Sequence, residues 1–201
     1  MYELQTLKGQ AEKLTGLGRP SRGELCEALR QRKPNAFRFI DDGLTPNNPK
    51  LPMVLYRSPI RLSGMFDPAA VFEELFSMNG WQDSWRNGIY PYLHYHSKIH
   101  EVLGIARGNA RVQFGGPKGR KINLKAGDVT IMPAGTGHRL LGDSDDLLVV
   151  GAYPPFGKYD ECLPVGCDHV ASLRAIPKVP LPRKDPVYGR NGPLIHLWSK
   201  K

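Results

Sequence analysis

The chain has 201 residues, 40% of them hydrophobic, enough to bury one sizeable core, and one domain is the default. No apolar run reaches the length of a membrane span, and the Met1-Tyr-Glu-Leu start lacks a basic-then-apolar leader, so a cytoplasmic protein with no membrane partner is expected. The net charge of +9 sits at the ends, with +4 over 1–40, +6 over 170–201 and −1 over 41–169, and no basic–aromatic stripe accompanies it. It therefore reads as solvated arms rather than a nucleic-acid surface.

Leu4, Leu7, Ala11 and Leu14 recur at helical spacing until Gly16-Leu-Gly18-Arg-Pro20 breaks the pattern. Ser21 with Glu24 has capping-box spacing and predicts a second helix over 22–32 that stops before Pro34. Residues 1–36 are thus expected to form a helical extension. Pro46-Asn-Asn-Pro49 marks a turn and Leu51–Tyr56 a short strand. Asp67 as N-cap and Pro68 at the first helical position open a helix that ends near Asn79-Gly80.

Beyond Trp85 the pattern shortens to strands separated by glycine turns. The predicted strands are Tyr90–His96, Glu101–Ala106, Arg111–Phe114, Lys121–Leu124, Asp128–Met132, His138–Leu141 and Leu147–Tyr153. Many short strands at this spacing predict a mainly β double-sheet jelly roll or small barrel over 37–165. The proline-rich remainder, 166–201, reads as an extended tail wrapping the body. Three cysteines do not make a disulfide framework, and Cys162 and Cys167 are taken as free thiols.

Two segments carry chemistry. Side chains two apart on a strand share a face, so His94 and His96 aim into one space, and a turn over 97–100 returns Glu101 on the next strand. In the second segment Gly127 opens a strand, Pro133 ends it, and Gly135 and Gly137 permit a tight turn into His138. Three imidazoles and one carboxylate at one point can hold a divalent transition metal with positions open to substrate. His100 would replace Glu101 if the register moved by one residue; strand alternation turns it away, into a supporting role. Tyr90 and Tyr92 share the histidine face, so Tyr92 and His100 are the candidate catalytic residues beside the metal, with barrel filling as the alternative for the phenols. Trp81, Trp85 and Tyr153 read as core aromatics. Arg107 and Gln113 are equally readable as acidic-substrate contacts or surface residues.

Residues 88–108 run Gly88, five residues, His94-any-His96, four residues, Glu101, six residues, Gly108. Residues 127–138 run Gly127, five residues, Pro133-any-Gly135, two residues, His138, with Gly142 where an Asn is customary. These two patterns resemble the motifs of the cupin superfamily. Thr45-Pro-Asn-Asn-Pro-Lys-Leu-Pro52, Ser84-Trp-Arg-Asn-Gly88, Val150-Gly-Ala-Tyr-Pro154 and Asp185-Pro-Val-Tyr-Gly189 extend the likeness to the YjlB-type cupins over roughly 37–198. The resemblance implies a jelly roll whose metal ligands are His94, His96, Glu101 and His138. It implies a divalent ion, with Fe(II), Mn(II) or Zn(II) ahead of Ni(II) or Cu(II), and a small-molecule substrate. Dioxygenation is the nominal reaction; isomerisation, decarboxylation and non-catalytic binding are the alternatives. An open sheet edge and the helical extension suggest a homodimer.

Overall fold

The computed structural model describes residues 19–199, so the periodic stretch from Leu4 to Leu14 lies outside the described residues. Helix α1 (Arg22–Ala28) starts on the expected capping box: the Glu24 N–H donates to the Ser21 hydroxyl (3.3 Å) and the Ser21 N–H to the Glu24 carboxylate (2.7 Å). It ends at Ala28, short of the predicted 32. Leu29 turns extended to bridge Ile60, and the Arg30 N–H donates to the Pro59 carbonyl (2.8 Å). Pairing with 59–61 therefore replaces further helix. Helix α2 (Pro68–Met78) is capped by Asp67, whose side chain accepts from the Ala69 N–H at 3.0 Å.

The described strands are β1 (Asn35–Phe37), β2 (Met53–Tyr56), β3 (Gln82–Asn87), β4 (Glu101–Arg107), β5 (Asn109–Phe114), β6 (Arg120–Lys125), β7 (Val129–Met132), β8 (His138–Asp143) and β9 (Leu148–Tyr153). They form two antiparallel sheets, ordered β1-β2-β7-β4-β9-β3 and β6-β5-β8. The fold is mainly β, as expected. The ladders are separate, and side chains from both fill the space between them. Residues 90–96 differ from expectation. They join the body by isolated bridges, His94 to His138 and Tyr95 to Cys162, rather than a continuous ladder. Pro91 within this stretch has no N–H to contribute to one.

Alternation divides the larger sheet. Met53, Leu55, Leu103, Ile105 and Val149 point between the sheets and meet Ala110, Val112, Phe114 and Leu124. Val54, Tyr56, Val102, Val129, Ile131, Val150 and Ala152 point to the rear, where α2 covers them with Phe72, Leu75 and Phe76. The contact is close: a Cβ on Gly104 would lie 2.5 Å from a Phe72 ring carbon.

The C-terminal segment is not extended throughout. It forms α3 (His169–Ala175), a 3-10 turn over Ile176–Lys178 and α4 (Pro193–Ser199). Asp168 caps α3 by accepting from the Ala171 N–H (3.0 Å), and Pro193 opens α4. These are helix-start signals that its proline content masks. The segment is stitched to the rear face. The buried Asp185 carboxylate accepts from Tyr56 Oη–H (2.6 Å) and from the Val187, Tyr188 and Leu194 N–H groups. Trp81 and Trp198 indole N–H groups donate to the Lys184 and Pro52 carbonyls. Leu25, Val187, Leu194 and Trp198 enter the same buried cluster as α2. Among the described residues no helix is long and apolar enough to cross a membrane.

Candidate metal centre

The sequence segments meet at the end of the two sheets. His138 is the first residue of β8, and its N–H and carbonyl pair with those of His94 (2.9 and 3.2 Å). The Gly135 N–H donates to the His96 carbonyl at 2.7 Å, which locks the Pro133–Gly137 turn beside the first segment. Gly135 has φ +92°, and a Cβ there would lie 2.7 Å from the Asn47 carbonyl oxygen, so this turn requires glycine. The Thr45-Pro-Asn-Asn-Pro segment supports it. Asn47 side-chain oxygen accepts from the Gly137 N–H (3.3 Å), and the Asn48 amide donates to the Ala134 carbonyl (3.1 Å).

His94, His96 and His138 place one ring nitrogen each within 4.8 Å of one another. All three are buried, as is Glu101. Each Nδ1 sits on a backbone carbonyl: His94 on Tyr92 (3.2 Å), His138 on Thr136 (3.2 Å) and His96 on Asp160. Carbonyls only accept, so each Nδ1 carries a proton and, in the neutral ring, each Nε2 presents a lone pair. Glu101 Oε2 lies 3.4 Å from His96 Nε2 and 3.5 Å from His138 Nε2. It is sealed from solvent with no hydrogen-bond partner. The three imidazoles could hold a divalent transition ion, and an orphaned carboxylate oxygen beside them fits such a donor set.

The electrostatics follow from this packing. Burial works to raise the Glu101 pKa, but His96 and then His138 outweigh it and hold the carboxyl below its ordinary range. Burial likewise opposes charge on His96, yet Glu101 beside it lifts the imidazole above its usual value. His94 is lowered by burial, and His138, pushed by burial and by His94, falls to about 3. The cluster is thus one carboxylate with one readily protonated imidazole and two that stay neutral.

A cavity of about 360 Å³ opens onto the cluster. Trp85, Arg86, Asn87, Gly88, Ile89, Tyr90, Leu103, Tyr153 and Tyr159 line it together with the four candidate ligands. Tyr153 Oη accepts from the Trp85 indole N–H (2.9 Å) and lies beside Glu101. Arg86 is bound by Glu73 (2.9 and 2.8 Å) and Asp67 (2.8 Å), two residues of the α2 region.

His100 does not face this cavity. By alternation it points to the rear, fully buried, with its ring 4.8 Å from that of Trp198. Its Nδ1 accepts from the Ala134 N–H (2.9 Å), so it braces the turn that carries His138. Burial pushes it down to about 3, leaving it neutral. Of the two roles anticipated for His100, beside the metal or in support, its position away from the cavity lining matches the supporting one. The Tyr92 hydroxyl also points away, donating to Glu161 at 2.9 Å, while its ring stacks on Tyr90 at 4.8 Å. Trp81 is core as read, whereas Trp85 and Tyr153, read as core, line the cavity. Gln113 is buried and accepts from Arg139 (2.8 Å); Arg107 is exposed, and neither lines the cavity. Sequence reasoning missed Tyr159 and Asp160. Only their place in the loop after β9 makes them relevant, and no local motif marks it.

No family model matches the chain. The Bacillus subtilis (strain 168) protein YjlB, itself uncharacterised, is 38% identical over 170 residues, which is 85% of this chain and 99% of that one. Solved structures are more remote. Acireductone dioxygenase from Bacillus anthracis, with cadmium ion in its active center, is 17% identical over 45% of this chain and 65% of that chain, at a TM-score of 0.32. The Campylobacter jejuni ketoisomerase WlaRB is 14% identical over 46% and 75%, at 0.36. A mutant Bacillus subtilis oxalate decarboxylase is 20% identical over 59% and 29%, at 0.35, so this chain spans under a third of that protein. At such scores these likenesses decide nothing about chemistry. The near full-length match to YjlB, in a chain whose two motifs fold into one buried histidine–glutamate cluster, makes this protein a member of the YjlB-type cupins.

Proposed function

We propose that the protein is a metal-dependent enzyme acting on a small organic molecule at a centre held by His94, His96, Glu101 and His138, nominally a dioxygenase. The carrying observation is the convergence of three Nε2 lone pairs and an unpartnered, buried Glu101 oxygen at the floor of an open cavity. Fe(II) or Mn(II) would supply one-electron and dioxygen chemistry there, and Zn(II), Ni(II) or Cu(II) Lewis acidity. The chain's own residues do the rest. The carbonyls of Tyr92, Thr136 and Asp160 orient the imidazoles, His100 positions the His138 turn, and Tyr92 buttresses Tyr90 at the mouth. The low-dielectric walls of Ile89, Leu103 and Trp85 limit water around a bound substrate.

Isomerisation or decarboxylation is favoured by one specific observation. The Tyr153 hydroxyl beside Glu101 and the Tyr159 hydroxyl nearby are phenols from which a proton can be delivered inside the cavity. A cytoplasmic homodimer completes the proposal, with light scattering expected to give twice the chain mass.

Elemental analysis of the purified protein tests the centre. One equivalent of a transition metal is expected, and His96→Ala and Glu101→Ala are each expected to lose it; retention in both would undo the ligand assignment. Oxygen uptake by the iron-loaded protein over a catechol, flavonol and diketone panel then tests the reaction. A flat response from every metal form would remove the oxygenase reading and leave the proton-transfer one.

A further inference from the structure

The geometry points to a specific ligand class for this cavity: a flat, phenolic compound bearing adjacent oxygens and at most one negative charge, its ring held against Tyr159 and Tyr90. The inference rests on the metal-centre reading and deepens it. Charge comes first. Arg86 is the sole guanidinium or ammonium among the described residues lining the cavity, and Glu73 and Asp67 already hold it through Nε, Nη1 and Nη2. A divalent ion beside the Glu101 carboxylate leaves one net positive charge, which a singly ionised chelator neutralises. A small dicarboxylate would bring a second negative charge with no cation to receive it, among phenols and apolar walls.

Shape agrees with charge. Tyr90 and Tyr159 are 42% and 50% exposed and each lines the cavity, so both rings are open to a ligand entering it. Tyr159 stands 5.1 Å from the His96 ring and 5.6 Å from Tyr153, and Tyr90 stands 5.4 Å from His94, so both flank the ligand cluster. The rim is tied in place. Glu161 accepts from Tyr92 (2.9 Å) and from Tyr159 (3.2 Å), linking the 88–97 segment to the loop after β9, and Tyr92 in turn stacks on Tyr90. Rings fixed in advance lose little freedom on stacking against a flat ligand. A cavity of about 360 Å³ is at the small end of ligand sites, enough for one substituted ring.

The test uses the full chain loaded with zinc, which does not turn over by redox chemistry, and 4-nitrocatechol as a coloured probe. Absorbance titration should show one site, with oxalate and malonate competing at least roughly tenfold more weakly. Tyr159→Ala and Tyr90→Ala should each weaken 4-nitrocatechol by roughly three- to tenfold at unchanged zinc content, and Tyr159→Phe should restore it. Oxalate should respond to none of these changes. Oxalate binding as tightly as 4-nitrocatechol, or equal losses for both in the alanine variants, would overturn the assignment while leaving the zinc site standing. A wild-type chain that takes up no zinc would instead bring down the metal centre and this inference with it.

Discussion

The two faces of the six-stranded sheet are built from the same strands and do opposite work. Behind it, Val54, Val102, Ile131, Val150 and the rings of Phe72 and Phe76 pack into one apolar cluster, with the buried Asp185 carboxylate tied to Tyr56 and to backbone N–H groups. In front, one residue along the same strands, Glu101 and Tyr153 are buried among histidines with one carboxylate oxygen unmatched. The difference teaches where stability and chemistry are kept apart: a step of one residue, from His100 into β4, separates a side chain that braces a turn from Glu101, which faces the cavity.

That separation can be broken at three points. Phe72→Ala on the rear should destabilise the chain by about 3–5 kcal/mol in urea unfolding, through the cavity it leaves against Gly104. Metal stoichiometry of the folded fraction should not change; a loss of metal would mean the faces are coupled. His100→Leu should come next, at about 1–3 kcal/mol, because it leaves the buried Ala134 N–H without an acceptor. This variant also carries a pH signature. His100 titrates near 6.5 when unfolded and about 3 when folded, so the unfolded chain binds the extra proton. Its contribution is intact above about pH 6.5 and is lost as pH falls toward 3, at up to ~1.4 kcal/mol per unit. Measured in chelator, the stability gap between wild type and His100→Leu should narrow on acidification; a constant gap would show that His100 is not held neutral.

The smallest effect is expected in front. Asp160→Ala removes the carboxylate that accepts from Ser97 Oγ–H (2.6 Å) and the Lys98 N–H (3.0 Å), and so loosens the carbonyl behind His96. Metal affinity should fall roughly tenfold by chelator competition, with urea stability lowered by only about 1 kcal/mol because the contact to Lys98 is exposed and that to Ser97 only partly buried. A stability loss without a metal effect would place Asp160 with the rear face instead.

Much of the site was legible because its signals are local. His94 and His96 share strand parity, the turn before Glu101 has fixed length, and Pro133-any-Gly135 demands one turn geometry. The capping box of Ser21 and the N-cap of Asp67 were legible for the same reason. What was not legible depends on distant segments. Asp160 reaches His96 across more than sixty residues, and Tyr159 becomes a cavity wall only because Cys162 pairs with Tyr95. Nor could Tyr90–His96 be told from a ladder strand, since alternation is the same for a segment held at isolated bridges. The C-terminal helices were hidden by prolines that start helices as well as stop them.

The unmatched Glu101 oxygen has a thermodynamic meaning of its own. Without a cation, a proton drawn onto His96 is what balances that carboxylate, so ion and proton compete for one place and metal uptake should release acid. An ion that binds only the folded chain also stabilises it by mass action, by about 2.7 kcal/mol at a hundredfold excess over its dissociation constant. With the proposed centre, the melting temperature of this protein would be a gauge of metal supply, the chain sturdier where the ion is plentiful and more fragile where it is scarce.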